Sequence, residues 1–313
     1  MAITAPTTTS DFSGFLTPDQ SAPIFEEAAR ASVVQRLAQQ VPLAGNGRSI
    51  PVVTGRMSAG WVAEGARKPA SNGALDLKTI EPKKIAAIAV VSAEVVRANP
   101  GNYMTLIRSQ VAEAFAAAFD LAALYNRGPD GTEDGGPFST WIGQTTKEVE
   151  LGATPQDAGG VHGDLVEGLS LLVRDGKRLT GFALDHVVEP ILLGAVDANG
   201  RPIYVDTPLD ETTTAARPGR LLGRPSFMGE GVAEPDDATP HTVAFGGNWR
   251  QAAWGVVGGI TYDVSTEATV TIDGTLTSLW EHNLVAVRAE AEYGFLVNDP
   301  ESFVAYTAAP EGS

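Results

Sequence analysis

Few residues in this chain have the types and spacing that chemistry requires. The sequence contains four histidines, His162, His186, His241 and His282, and no two stand at metal-ligand spacing. There is no cysteine, which removes disulfides, thiolate metal sites and a cysteine nucleophile. Ser170, in Gly168-Leu169-Ser170-Leu171-Leu172, lacks the second glycine of a nucleophile elbow and reads as a helix-face serine. Gly45-Asn46-Gly47 lacks the third glycine and the strand–turn–helix setting of a dinucleotide fingerprint, and there is no Walker A motif. The acidic group Glu230, Glu234, Asp236 and Asp237 is broken by Pro235 and fits no calcium loop, so it reads as a solvated loop. No cofactor or metal is implied.

The elements that would carry such residues are more informative. The chain has 313 residues, 43% of them hydrophobic, and a net charge of −16. That balance argues against gripping nucleic acid or an anionic membrane, because both need a basic footprint. No segment has the length and apolarity of a membrane span or the pattern of a signal peptide. Residues 1 to about 20 are rich in Thr, Ser, Pro and Gly and read as an extended arm that cannot fold alone. A short helix is expected next, capped by Ser21, with Ile24, Val33, Val34 and Leu37 docking it onto something larger.

Ile50–Val53 and Ile85–Val91 read as strands. Between them lies a long polar excursion, Arg56 to Lys84, with few large apolar residues, which suggests a projecting hairpin. From Tyr103 to Asn126, Tyr103, Ile107, Val111, Phe115, Phe119 and Ala123 recur every fourth residue, with Leu106, Ala114, Ala118 and Ala122 widening the stripe. This predicts an amphipathic helix about 35 Å long. Residues 128–160 read as loop. Helices are expected at Asp164–Arg174 and Val187–Ala195, a strand at Phe182–Leu184, a turn at Asp197–Gly200 and a polar loop over Asp206–Arg220. Further strands are expected at Val243–Phe245, Ala253–Val257, Ile260–Val264, Leu284–Glu290 and Phe303–Tyr306. The order is mixed, without a βαβα series or a repeat, so the class is α+β.

This order of arm, projecting hairpin, long helix and mixed remainder resembles the major capsid proteins of tailed phages with the Hong Kong 97 fold. Several motifs agree. Trp61-Val62-Ala63-Glu64-Gly65, followed by Lys68-Pro69 and Ser71, is similar to that family's extended-loop signature. Pro82-Lys83-Lys84-Ile85 and Val91-Ser92-Ala93-Glu94 resemble its return strand and the approach to its spine helix. Asp197, Gly200, Arg201 and Pro202, then Leu221-Leu222-Gly223-Arg224-Pro225, resemble two of its turns. Gly246-Gly247-Asn248-Trp249 resembles a third, with Asn248 where Asp is usual, and Asn283–Glu290 and Pro300–Val304 resemble the C-terminal strands. The set is collinear from about Phe15 onward.

The resemblance implies an α+β capsid fold in four parts. Residues 1–48 would be the N-terminal arm and short docking helix, and 49–92 the extended β-hairpin loop. Residues 93–145 and 284–313 would form a peripheral domain with the spine helix and the returning C-terminal strands, and 146–283 an axial domain. It implies a non-enzymatic subunit that forms pentamers and hexamers of itself and closes an icosahedral head around double-stranded DNA. Scaffold, portal and decoration proteins would be its partners, and the virion its location after assembly in the bacterial cytoplasm. Because arm-like sequence begins almost at Met1, a separate scaffold protein, or assembly without one, is expected. Trp61, Glu64, Arg67 and Lys68 are the implied inter-subunit contacts. By the same resemblance, Lys68 matches a lysine that bonds covalently to an asparagine of a neighbour, matched by Asn283, with a glutamate matched by Glu290 as proton acceptor. An encapsulin-like shell is the alternative with this fold, disfavoured by the long loop and polar arm. A soluble α+β hydrolase is a remote alternative, disfavoured by the missing nucleophile and metal motifs.

Overall fold

The computed structural model describes residues 32–55, 59–62, 64, 67, 74–94, 103–128, 135–195, 204–206, 216–234, 241–272 and 274–308. In chain order they form α1 (Val33–Leu37), β1 (Gln39–Gln40), β2 (Arg48–Gly55), β3 (Ala74–Ile80), β4 (Lys83–Ser92) and α2 (Tyr103–Tyr125). Next come β5 (Glu148–Leu151), α3 (Gly160–Arg174), β6 (Gly181–Leu184), α4 (Glu189–Gly194), β7 (Tyr204–Asp206), β8 (Ala216–Leu221) and β9 (Arg224–Gly229). Last are β10 (His241–Gly247), β11 (Ala252–Ser265), β12 (Thr269–Ile272), β13 (Thr275–Ser278), β14 (Leu284–Val297) and β15 (Phe303–Ala308). The expected turn at Asp197–Gly200, the arm and the Ser21 cap lie outside the described residues.

α2 spans the helix that the four-residue period predicts. Ile107, Phe115, Phe119 and Ala123 are buried as expected. Of the residues expected to widen the stripe, Ala122 is buried, Ala118 half-buried and Ala114 exposed, and a further flank, Ala112 and Ala116, is buried as well. The helix turns that flank inward because α1 docks there, on Asp120. Asn126 ends the helix in the left-handed region, at φ 56°, and its side chain accepts a hydrogen bond from the Phe138 amide at 2.9 Å. A short amide side chain tolerates that conformation better than most.

A four-stranded sheet in the order β1-β11-β14-β4 packs against α2. A seven-stranded sheet, β5-β15-β10-β6-β9-β8-β7, carries the rest. Alternation along its central strands sends side chains two ways. Phe182, Leu184, Val304 and Tyr306 pack with Leu165 and Leu172 of α3 and Leu192 of α4. Ala183, Phe245, Phe303 and Ala305 pack on the opposite side, in the same core as Phe119 and Trp254. The central strands of the seven-stranded sheet are therefore buried on both faces, and β6 and β15 have every residue buried.

Three expectations change. Ile85–Val91 is a strand, but it is not the return strand of the hairpin. β2 pairs antiparallel with β3, and β4 pairs instead with β14 along ten residues, from Ser92–Leu284 to Lys83–Tyr293. The hairpin thus returns within Ala74–Ile80, where Leu75, Leu77 and Ile80 alternate with polar residues, and β4 is a sheet strand. The long expected C-terminal group also splits. β14 lies in the four-stranded sheet, while β15 is an interior strand of the seven-stranded one, between β5 and β10, because its apolar residues on both faces need cover on both sides. β11, expected in the axial part, pairs with β14 along its length.

Third, the polar stretch ending at Arg220 is not all loop. Ala216–Leu221 is a strand, joined to β9 by a tight turn at Leu222 (φ 50°) and Gly223 (φ 72°). Two successive positive φ values are the type I′ geometry that matches hairpin twist.

Candidate inter-subunit surface

The β2–β3 hairpin is anchored at its base. Ile80 is fully buried. Gly294 on β14 has no side chain because Ile80 fills that space, and the Lys78 ammonium donates to the Asn298 carbonyl. Gly47, at φ 79°, brings the chain against the Ile80 carbonyl, where a Cβ would sit 2.7 Å away. Beyond the base, the described residues toward the far end are exposed. Leu77 is 68% exposed, and Trp61 is as exposed as an isolated tryptophan, at 107%. Val62, Glu64 and Arg67 are exposed as well. Lys68 lies outside the described residues.

Asn283 sits at the other end of the four-stranded sheet, just before β14. It is exposed, with φ 53°. Its carbonyl accepts from the Ala93 amide at 2.9 Å, and its side-chain amide donates to a Glu94 carboxylate oxygen at 2.9 Å. A second Glu94 oxygen accepts from the Ser92 hydroxyl at 3.1 Å. Glu290 is seven residues further along the same chain, about 23 Å away at strand rise. Its carboxylate meets the Lys84 ammonium at 2.7 Å and the Arg288 guanidinium at 3.4 Å, and Arg288 also meets Asp263 at 2.7 Å. These four charges run in a row across β4, β14 and β11. The structure therefore does not bring Asn283 and Glu290 together within one chain.

Two features of this region have no clear sequence signal. Glu94 stands beside Asn283 only because β4 pairs with β14. Asp120 is a lone acid between Phe119 and Leu121 in the apolar run of α2. Its carboxylate accepts from the Ser32 hydroxyl at 2.5 Å and from the amides of Val33 and Val34 at 2.7 and 3.2 Å. It thereby ties the start of α1 to the spine. Ser32 caps this helix by accepting from the Gln35 amide. Val33 and Val34 are fully buried, as their expected docking role requires. Burial pushes the Asp120 pKa up to about 7 against the opposing pull of those hydrogen bonds.

Among the described residues there is no group of three or more His, Asp or Glu placed to hold a metal ion. None of their helices is long and apolar enough to cross a membrane.

The profile of the phage capsid family matches residues 13–308. The chain belongs to the phage capsid family. It is 45% identical over 306 residues to a probable major capsid protein of Mycobacterium phage D29, covering 96% of this chain and 92% of that one. It is 44% identical over 315 residues to the corresponding protein of Mycobacterium phage L5, covering 97% and 92%. A solved structure from Gordonia phage Cozz aligns with a TM-score of 0.69 at 25% identity, covering 90% of this chain and 87% of that chain. The fold is the Hong Kong 97-like fold of this family.

Proposed function

We propose that this chain is the structural subunit of the icosahedral head of a tailed bacteriophage, assembling into pentamers and hexamers that enclose double-stranded DNA. The observation that carries this reading is the hairpin: an ordered pair of strands with a buried base, ending at a tryptophan that no part of its own chain covers. A tryptophan left in water is costly for a lone globular protein and ordinary for a surface awaiting a neighbour. The family match and the D29 and L5 relatives support the same reading. A portal, a scaffold and decoration proteins are the further partners, and the virion is the site of action after assembly in the host cytoplasm. The division into arm, loop, peripheral and axial parts is kept, with β4, β11 and β14 grouped around α2, and β15 with the seven-stranded sheet. The acidic balance suits a wall that must not hold its genome by counterion release.

The reading extends to a covalent bond. The Lys68 amine, once deprotonated, attacks the Asn283 side-chain carbonyl carbon of a neighbour; the new C–N bond forms and ammonia leaves. Glu290 takes up the lysine proton. Since Glu290 is about 23 Å along the strand from Asn283, the Glu290 that acts must belong to a different subunit from the Asn283 that reacts. One of its pairings with Lys84 and Arg288 must open for it to do so.

Assembly is tested by sedimentation and negative-stain microscopy of the expressed protein. Capsomers or closed shells are expected. A stable monomer at every concentration would overturn the reading.

A further inference from the structure

Between the four-stranded sheet and the β12–β13 hairpin lies a groove of about 310 Å³. Ile88 and Ala286 form its floor from β4 and β14, and Val264, Ala268 and Val270 form its wall at the turn from β11 into β12. The Arg288–Asp263 ion pair, at 2.7 Å, lines one side. Ile88 is 42% exposed there, so the groove is open to solvent and mostly apolar. A single aromatic side chain has the size and character to fill it.

We propose that this groove receives Trp61 of a second copy of the chain. This rests on the shell-subunit reading above and adds to it the place where the hairpin docks. Three observations select that occupant. Trp61 is a large aromatic with no cover in its own chain. Its own groove does not hold it: Trp61 is fully exposed, and the hairpin's root packs at Gly294, eight residues from Ala286 along β14.

The third observation is charge. The hairpin, residues 48–80, carries Arg48, Arg56, Arg67, Lys68 and Lys78 against Glu64 and Asp76, a net +3 in a chain of −16. Residues 261–288, which wall the groove and form β12 and β13, carry Asp263, Glu267, Asp273 and Glu281 against Arg288 alone, a net −3. The basic hairpin thus has an acidic rim to approach, and the apolar groove inside that rim takes its tryptophan.

The absence of cysteine makes the contact directly testable. Shells carrying Trp61→Cys and Ala268→Cys together, in a Lys68→Arg background that cannot form the isopeptide, are oxidised and run on a non-reducing gel. Disulfide-linked chains of two or more subunits are expected, collapsing to monomer on reduction, because the two Cβ atoms of a seated contact come within bonding range. Trp61→Cys paired with Val173→Cys, on the exposed face of α3, should stay monomeric on the same gel. Intact shells with no disulfide from the Trp61/Ala268 pair, or with equal yield from the Trp61/Val173 pair, would overturn the proposal while leaving the shell reading in place. If the double variant does not assemble, the single variants Trp61→Cys and Ala268→Cys are each labelled with a maleimide before and after assembly. Protection of the introduced thiol in shells is expected for both variants, and equal labelling of either variant in both states would overturn the proposal. Failure of the wild-type protein to form any assembly would instead count against the shell reading itself.

Discussion

Asp120 is a carboxylate with almost no contact with water, and its partners are two backbone amides and one hydroxyl. No cation offsets its burial among the causes of its shift, so the desolvation cost dominates and its pKa rises to about 7. An aspartate in the unfolded chain titrates near 3.9. Between those values the native chain holds a proton that the unfolded chain has released. The associated stability is present below pH 4 and is lost as pH rises through 7. Raising pH from 5 to 8 should cost the docking of α1 roughly 2–3 kcal/mol. Asp120→Asn has the shape of the protonated acid and cannot titrate. Denaturant midpoints of the unassembled protein should therefore fall from pH 5 to pH 8 more steeply for wild type than for Asp120→Asn. Parallel behaviour of the two would mean that the buried carboxyl does not change charge over this range.

At the scale of elements, α2 shows what a sequence can and cannot disclose. Its span is legible because apolar residues at a four-residue period must share one face, and its stop because Asn126-Arg127-Gly128-Pro129 cannot continue a helix. Which flank joins the buried face is not legible, since that depends on α1 arriving at Asp120 from 88 residues away. Strand existence reads well where apolar residues cluster, at β4, β6, β10, β14 and β15. Strand partners do not, because pairing is non-local and two β-like runs adjacent in sequence look like a hairpin whether or not they meet. β8 escapes notice because Arg217, Pro218, Gly219 and Arg220 lack any β signal of their own; β9 and β7 hold them in place. The site is legible in part. Trp61 stands out as a large aromatic in a polar excursion, while the Glu94–Asn283 contact and the row Lys84–Glu290–Arg288–Asp263 exist only through sheet register.

The same element allows a quantitative test. Phe119 of α2 lies 5.3 Å from the Tyr293 ring, 5.9 Å from Phe295, 6.0 Å from Phe138 and 6.1 Å from Trp254, centroid to centroid. It joins the helix to both long strands of the four-stranded sheet. Truncating it leaves a cavity that rigid neighbouring rings cannot close. Phe119→Ala should cost about 3–5 kcal/mol, seen as a lowered denaturant midpoint or as insoluble protein. A variant of normal stability would place Phe119 outside the core.

At the scale of the whole molecule, the chain separates its charges. A basic hairpin projects from one end of a sheet, and an acidic rim lies at the other, on a chain of net charge −16. Such an arrangement is self-complementary only head to tail, which generates rings when the rotation closes. The proposed covalent bond would follow the same geometry. Lys68 is on the hairpin, Asn283 is at the far end of the sheet, and Glu290 is about 23 Å from Asn283 along the strand, so the three groups meet only where subunits adjoin. Free subunits should therefore never link, and assembled shells should. Mature wild-type particles boiled in detergent should give ladders or material too large to enter a gel. Lys68→Arg keeps the charge but stays protonated and cannot attack, so it should assemble and run as a single monomer band. Glu290→Gln cannot accept the proton and should give shells that link far more slowly, if at all. Mixed shells built from Lys68→Arg and Glu290→Gln subunits should recover some ladders, because an intact Lys68 on one chain can meet an intact Glu290 on another. A single band from mature wild-type particles would reject the covalent bond and leave Lys68 as a polar contact of the docked hairpin. Ladders from wild type but none from the mixed shells would mean that one chain must supply both the lysine and the glutamate.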